Sequence, residues 1–282
     1  MVENRRWLTV LAHAVLWLGV LIIVFPVFVT LMASTQSTQQ IMVGAISLVP
    51  GDSVAHNYWT ALTQGATGTS NNAAWKMMLN SAVVAMLIAC GKIFLSLLAA
   101  YAIIFFALPL RMVWFWLIFL TLMLPVEVRI LPTYKVISDL ALLDTYTGLS
   151  LPLIASATGT LLFRQFFMTL PNELVEAAKI DGAGPFRFFK DVVIPLSKTN
   201  IAALFVIQFI YGWNQYLWPL LITTKGEMET IVIGIRKMMA DNDSITDWGV
   251  VMATTMLAMI PPVLVVIFMQ RWFVKGLVDN EK

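Results

Sequence analysis

The sequence predicts an all-α, polytopic membrane protein, on three observations. The first is composition. The chain has 282 residues, of which 59% are hydrophobic and only 12% are Asp, Glu, Lys or Arg. Soluble domains carry about 25% charged residues, so a water-soluble globule of this length would lack the charges to cover its surface. Disorder is excluded as well, because it requires low hydrophobicity and high net charge. The second observation is about six apolar stretches, each near the ~20 residues that a bilayer core requires. They lie at 8–33, 78–107, 112–137, 146–170, 201–223 and 250–273. The third is the sorting of Lys and Arg between alternate loops.

Taken in order, Arg5 and Arg6 precede the first stretch, which is too long for a typical signal-peptide core and reads as a retained helix. His13 is expected to pack within it. The following segment, 34–72, is rich in Ser, Thr, Gln, Gly and Asn. Its short apolar patch, Ile46 to Pro50, cannot span and is expected to pack on the outer face. Arg111 separates the second and third stretches. Arg164, Lys179, Arg187, Lys190 and Lys198 lie around the loop between the fourth and fifth, and Arg271, Lys275 and Lys282 flank the end of the sixth. Residues 34–75 and 139–145 contain no Lys or Arg. Lys76 and Lys135 depart from the pattern, and the last outer loop offsets Lys225, Arg236 and Lys237 with an acidic excess. The positive-inside rule places both termini in the cytoplasm.

Other function classes find little support. The net charge is +2, and the basic residues form no stripe that would suit nucleic acid. The single cysteine, Cys90, can form no internal disulfide and reads as a small apolar filler. Gly91-Lys92 is followed by Ile93, which breaks the phosphate-cradling loop pattern. The two histidines, His13 and His56, have no metal spacing, and no paired carboxylates suggest an intramembrane enzyme.

One loop is more than a connector. Residues 171–196 read PNELVEAAKIDGAGPFRFFKDVVIPL. Pro171 suits a first helical turn, and Glu173 and Glu176 suit the positive end of a helix dipole. Leu174, Ala177 and Ala178 fall on one helical face, and the two alanines leave room for close approach. Gly182 can end the helix in a left-handed conformation. Pro185 starts a second amphipathic piece with Phe186, Phe188 and Phe189, and Pro195 closes it. From these residues alone, a helix–turn–helix resting on lipid and one docking a protein partner stand about even. Small alanines beside carboxylates favour protein.

Glu176-Ala177-Ala178, three residues, Gly182, nine residues, then Val192-x-Ile194-Pro195 resembles the EAA loop of ATP-binding-cassette importer permeases. The spacing agrees throughout, with Val and Ile standing where the family has Ile and Leu. The run from Asn80-Ser81 to Arg111, the stretch Leu142-x-Asp144-Thr145 and the tail 270–276 resemble the carbohydrate-type, maltose-permease-like subgroup. Within it, 121–129 and 209–219 are most similar to the importers of sn-glycerol 3-phosphate. The resemblance implies a type I importer permease fold in a bacterial inner membrane. It implies a second permease chain, a dimer of cytoplasmic ATPase subunits and a periplasmic binding protein as partners, beside membrane lipid. ATP and Mg would belong to the ATPase, so this chain would bind no cofactor and would be no enzyme. By the same resemblance, Glu176, Ala177, Ala178 and Gly182 contact the ATPase, with Arg187 as a further contact. The organisation expected is an amino-terminal helix and outer segment over 1–75, a permease core over 76–273 containing the coupling loop, and a tail over 274–282.

Charges inside the stretches are the remaining candidates. Lys92 lies near the middle of the second, and Glu127 and Arg129 lie on the outer half of the third. A charge at a bilayer centre costs at least about 2.5 kcal/mol and faces a bundle interior or a wet cavity. Lys92 could brace two helices against Glu127, or Lys92 and Arg129 could line a substrate path, where a cation would suit a phosphate. Glu127 and Arg129 are about 200° apart on a helix and do not face each other. Trp213, Asn214 and Gln215 in the fifth stretch are candidates for lining the path. Trp218 fits either substrate contact or an interfacial aromatic belt. Two other readings stay open: the same machinery for a sugar or oligosaccharide, and a carrier that works without ATP, against which the EAA loop speaks.

Overall fold

The computed structural model describes residues 6–44, 46–65, 73–121, 126–240 and 246–278. Among the described residues the secondary structure is helical, with no strand. The chain divides into two units. One comprises Met1–Lys76 with Gly234–Met259, and the other Met77–Ile233 with Ile260–Lys282.

The first unit begins with α1 (Arg6–Ala33). Most side chains of α1 are exposed, including Trp17 at 66% and Ile23 at 75%, as expected of a helix that meets lipid or another chain. His13 is exposed too, its ring Nδ1 2.7 Å from the Thr9 carbonyl, so it does not serve the expected packing role. A polar knot follows. Ser37 caps α2 (Thr38–Met42) in a capping box with Gln40. From α3 (Val54–Thr63), buried Asn57 donates to the carbonyls of Ser34 and Gln36, both at 2.9 Å. Ile46, Leu48 and Val49 stay exposed, so the apolar patch is not packed away. Thr38 donates to Asp247, whose carboxylate also accepts the Val250 amide at the start of α15 (Trp248–Val278).

The second unit holds most of α4 (Ala74–Phe105), then α5 (Arg111–Leu120), α6 (Val126–Asp139), α7 (Tyr146–Ser150), α8 (Ala157–Met168), α9 (Asn172–Ile180), α10 (Pro185–Phe188), α11 (Ile194–Leu196), α12 (Lys198–Trp213) and α13 (Leu217–Ile222), and α14 (Ile231–Ala240) starts there. A π-helical turn, Phe189–Val193, joins α10 to α11. One buried cluster gathers Tyr101, Phe163, Phe167, Phe188 and Phe189. A second gathers Ile88, Leu149, Leu153, Trp218 and Ile222. Small residues set the spacing between helices: a Cβ on Gly212 would come within 2.8 Å of the Ala85 backbone, and one on Gly91 within 2.7 Å of Ile154.

The spans differ from the six stretches expected. Trp7–Ala33, Ala74–Phe105 and Trp248–Arg271 are each long and apolar enough to cross a membrane. Two further spans result if the pairs Tyr146–Leu153 with α8, bent by 51°, and Pro185–Leu196 with α12, bent by 72°, each count as one. Within the stretch 112–137, residues 122–125 lie outside the described residues, and α5 and α6 flank them. Ten residues of α5 reach about 15 Å, half a bilayer core. Glu127, Arg129, Lys135 and Asp139 make α6 too polar to qualify by itself. The fifth stretch, 201–223, breaks at Asn214, where α12 ends before α13 begins.

Candidate functional site

The loop 171–196 folds as its spacing predicts, with two adjustments. Pro171 is the residue before α9, in an extended conformation, and not its first helical residue. Glu173 stands in the first turn of α9 and Lys179 in the last, both favourable to the helix dipole. Gly182 has φ +69°. Its amide donates to the Lys179 carbonyl at 3.1 Å, and the Ala183 amide reaches back to Ala178 at 2.8 Å. This is the paired closure of a helix by a left-handed glycine.

The second adjustment concerns the faces of α9. Leu174, Val175 and Ala178 pack against the aromatic cluster. Ala177 points the other way and is exposed, together with Glu173, Glu176 and Gly182. Ala178 therefore supports the helix from beneath, while Glu176 and Ala177 face out. Ile180 at 85% exposed and Phe186 at 78% give the outward surface two apolar anchors. Neither was singled out for that role by periodicity. Phe188 and Phe189 are buried, so the aromatic triplet splits into one outward and two inward side chains. Arg187 is exposed, its Nε 3.5 Å from Asp191. Tyr101 on α4 donates to the Pro185 carbonyl at 2.7 Å and packs against Phe189 with ring centroids 4.8 Å apart. The loop is thus a charged and apolar outer surface, held by an aromatic underside.

The charged group within α4 is arranged differently. Lys92 is only 7% exposed, and its Nζ lies 3.6 Å from the centroid of the Tyr211 ring on α12. A cation over an aromatic face is attracted by the ring quadrupole, by about 2 kcal/mol or more once desolvated. The side chain of Glu127, and with it the expected Lys92–Glu127 brace, lies outside the described residues. Arg129 is exposed on α6 and within electrostatic range of both Lys92 and Tyr211. Gln215 donates to the Tyr211 carbonyl at 3.1 Å. Lys92, Arg129 and Gln215 are thereby gathered around Tyr211, which sequence reasoning missed although it begins the run Tyr211-Gly-Trp-Asn-Gln. Asn214 is exposed at the end of α12. Trp213 is 2% exposed and stacked on Phe209 at 5.9 Å.

Trp218 is neither a belt residue nor a surface contact. It is 2% exposed and donates its indole N–H to the Gly148 carbonyl at 3.1 Å. Beside it, Asp144 ties the α6–α7 connection to the segment after α13. Its carboxylate accepts from the Thr224 amide and hydroxyl, both at 2.6 Å, and from the Lys225 amide at 2.9 Å. Desolvation pushes the Asp144 carboxyl up, but these hydrogen bonds and the nearby Lys225 charge outweigh it and hold the pKa below the usual carboxylate value. Cys90 is exposed on α4. Among the described residues, no group of His, Cys, Asp and Glu could hold a metal ion.

Known proteins bear on this arrangement. Residues 81–279 match the family model described as the binding-protein-dependent transport system inner membrane component. The sn-glycerol-3-phosphate transport system permease protein UgpE of Agrobacterium fabrum is 58% identical over 282 residues, covering 100% of both chains. The protein of that name from Rhizobium meliloti is also 58% identical with 100% of both chains covered. That from Escherichia coli O1:K1 / APEC is 56% identical over 285 residues, again covering 100% of both. Among solved structures, a chain of a bacterial ABC transporter involved in the import of the acidic polysaccharide alginate superposes with a TM-score of 0.82, covering 97% of this chain and 99% of that one. At 21% identity it speaks for the fold alone, which is that of an ABC importer permease. On the span of the family match and the full-length identity, the chain belongs to the family of inner membrane components of binding-protein-dependent transport systems: it is a multi-pass permease subunit and not itself an enzyme.

Proposed function

We propose that this permease subunit carries sn-glycerol 3-phosphate inward across the bacterial inner membrane, driven by ATP hydrolysis in a partner. The substrate rests on the relatives, whose names specify sn-glycerol-3-phosphate transport and whose identity of 56–58% runs the full length of the chain. The mechanism rests on one observation of the chain itself: α9 is closed by Gly182, supported from below, and presents Glu176 and Ala177 outward, with Ile180 and Phe186 also exposed.

In this reading α9 is the coupling helix. Glu176, Ala177, Ala178, Gly182 and Arg187 form its docking region in the ATPase subunit. Ala178 acts from the underside, fixing the helix. Closure of the ATPase dimer pushes on α9, and the push passes through the Tyr101–Pro185 contact and the shared aromatic cluster to α4. A second permease chain completes the pathway, and a periplasmic binding protein delivers the solute. Six spans with both termini in the cytoplasm fit the Lys and Arg distribution. Lys92, Arg129 and Gln215 lie on the substrate path, with Asn214 at its edge and Trp213 as its packed wall. Glu127 belongs to the same stretch of α6. The division into residues 1–75, 76–273 and 274–282 separates the amino-terminal helix with the outer segment, the permease core and the tail.

The test is uptake by the complete complex in vesicles, with ATP inside and the binding protein outside. Radiolabelled sn-glycerol 3-phosphate is expected to accumulate only with ATP, and excess sugar is expected not to compete. Competition by a neutral sugar at equal concentration would move the substrate to the carbohydrate class. Accumulation without ATP would overturn the importer mechanism itself.

A further inference from the structure

One cavity of the second unit is used by none of the groups above except at its edge. Its volume is about 640 Å³, and it lies where α4 ends, α5 begins, α8 ends and α9 begins. Its polar wall carries Arg111, Arg164 and Lys179 against a single carboxylate, Glu176. Among the described residues, none of these four makes an ion pair. The Arg164 guanidinium stacks over Phe115 at 4.3 Å, and its Nε is buried without a hydrogen-bond partner. A terminal nitrogen of Arg164 reaches the Met112 sulfur at 4.0 Å, and three cations against one carboxylate leave the wall with an excess of positive charge, which points to an anion. Guanidinium groups match phosphate oxygens especially well.

Apart from Asn172, the remaining wall is apolar, with Ile104, Phe167 and Met168. On α5 beside it, Met112 is 48% exposed and Trp116 52%. A soluble anion would leave this surface wet, whereas a molecule with a phosphate at one end and hydrocarbon at the other would cover both. The position agrees, because the cavity lies at the end of α4, which is long and apolar enough to cross a membrane, and at the start of the apolar α5.

We propose that this cavity binds the phosphate of an anionic phospholipid, with its acyl chains laid along the exposed face of α5. Because Glu176 and Lys179 are residues of α9, an occupied cavity stiffens the base of the coupling helix. The inference does not depend on which solute is carried.

The test uses the complete transporter, purified in mild detergent and examined by native mass spectrometry after exchange into mixed phosphatidylglycerol and phosphatidylcholine. Phosphatidylglycerol is expected to be retained preferentially. Retention should fall about tenfold in the Arg111→Gln and Lys179→Gln variants, as for loss of a charge-assisted hydrogen bond. Both side chains are exposed, so the complex is expected to assemble normally, and Lys198→Gln, a neutralised cation outside the cavity, should retain lipid like the parent. Arg164→Gln should lose retention too, and Arg164→Lys should restore part of it. Equal retention of the two lipids, or unchanged retention in Arg111→Gln and Lys179→Gln, would overturn the proposal. Displacement of phosphatidylglycerol by inorganic phosphate at millimolar concentration would overturn the lipid source and leave a soluble-phosphate site.

Discussion

The coupling loop and the Lys92 group solve opposite problems with similar residues. In α9 the charges face outward and the support is apolar: Glu176 is exposed while Leu174 and Val175 pack beneath it. At Lys92 the charge is turned inward, 7% exposed and laid on Tyr211. An outward carboxylate costs nothing until a partner arrives, so it can be selected for docking alone. An inward ammonium carries a standing desolvation penalty, so its retention needs a structural or transport role. The contrast teaches where to expect damage without unfolding, and where damage and unfolding come together.

The largest expected effect is at the outward surface. Glu176→Lys reverses an exposed docking charge that makes no ion pair among the described residues. ATP-driven uptake is expected to fall by about thirtyfold or more, as for an interface hot spot, with membrane insertion and thermal stability unchanged. Gly182→Val should do the same with some loss of stability, because a β-branched residue is strained at φ +69°. Unchanged uptake in both would break the contrast.

Next comes the inward group. Lys92→Met removes the charge and keeps the volume, so destabilisation should stay below about 1.5 kcal/mol, while KM for sn-glycerol 3-phosphate rises about tenfold. Tyr211→Leu removes the platform. If the cation and ring act as a unit, the double variant should be no worse than the more damaging single one. A simple sum of the two would mean that they act separately.

Tyr101→Phe probes the link between the loop and α4. Loss of its hydrogen bond to Pro185 is expected to cost about 1 kcal/mol, read as a lower Tm of the complex, with the aromatic contacts retained. A loss of uptake larger than the loss of stability would mark the contact as a transmission point.

The smallest effect concerns Asp144. Its folded pKa is lowered, so its stabilising contribution is complete above the unfolded value of about 3.9 and is lost as pH falls through the lower folded value. Between neutral pH and about 4, parent and Asp144→Asn should differ by a constant small amount. Below that, the parent should lose its advantage. A gap that widens on acidification would contradict the assignment.

The sequence made the coupling loop legible because everything that defines it is local. Helix start, left-handed stop and second turn follow from Pro171, Gly182 and Pro185 within fifteen positions. The assignment of faces was less secure, since Ala177 and Ala178 are neighbours and only packing decides which one looks outward. The Lys92–Tyr211 pair was not legible at all. Its members are 119 positions apart, and the carboxylate at Glu127 was the more obvious partner for a cation. Over 112–137 hydropathy averages α5 with the polar α6, and over 201–223 it cannot see the helix end at Asn214.

The central claim is that the outward face of α9 meets the ATPase, and site-directed cross-linking tests it most directly. With Cys90→Ala removing the single native cysteine, Ala177→Cys should form an adduct with the ATPase subunit in the assembled complex. The adduct should block ATP-driven uptake until it is reduced, and Trp59→Cys in the outer segment should form none. An Ala177→Cys variant that transports normally and yields no ATPase adduct with short or long cross-linkers would contradict the account.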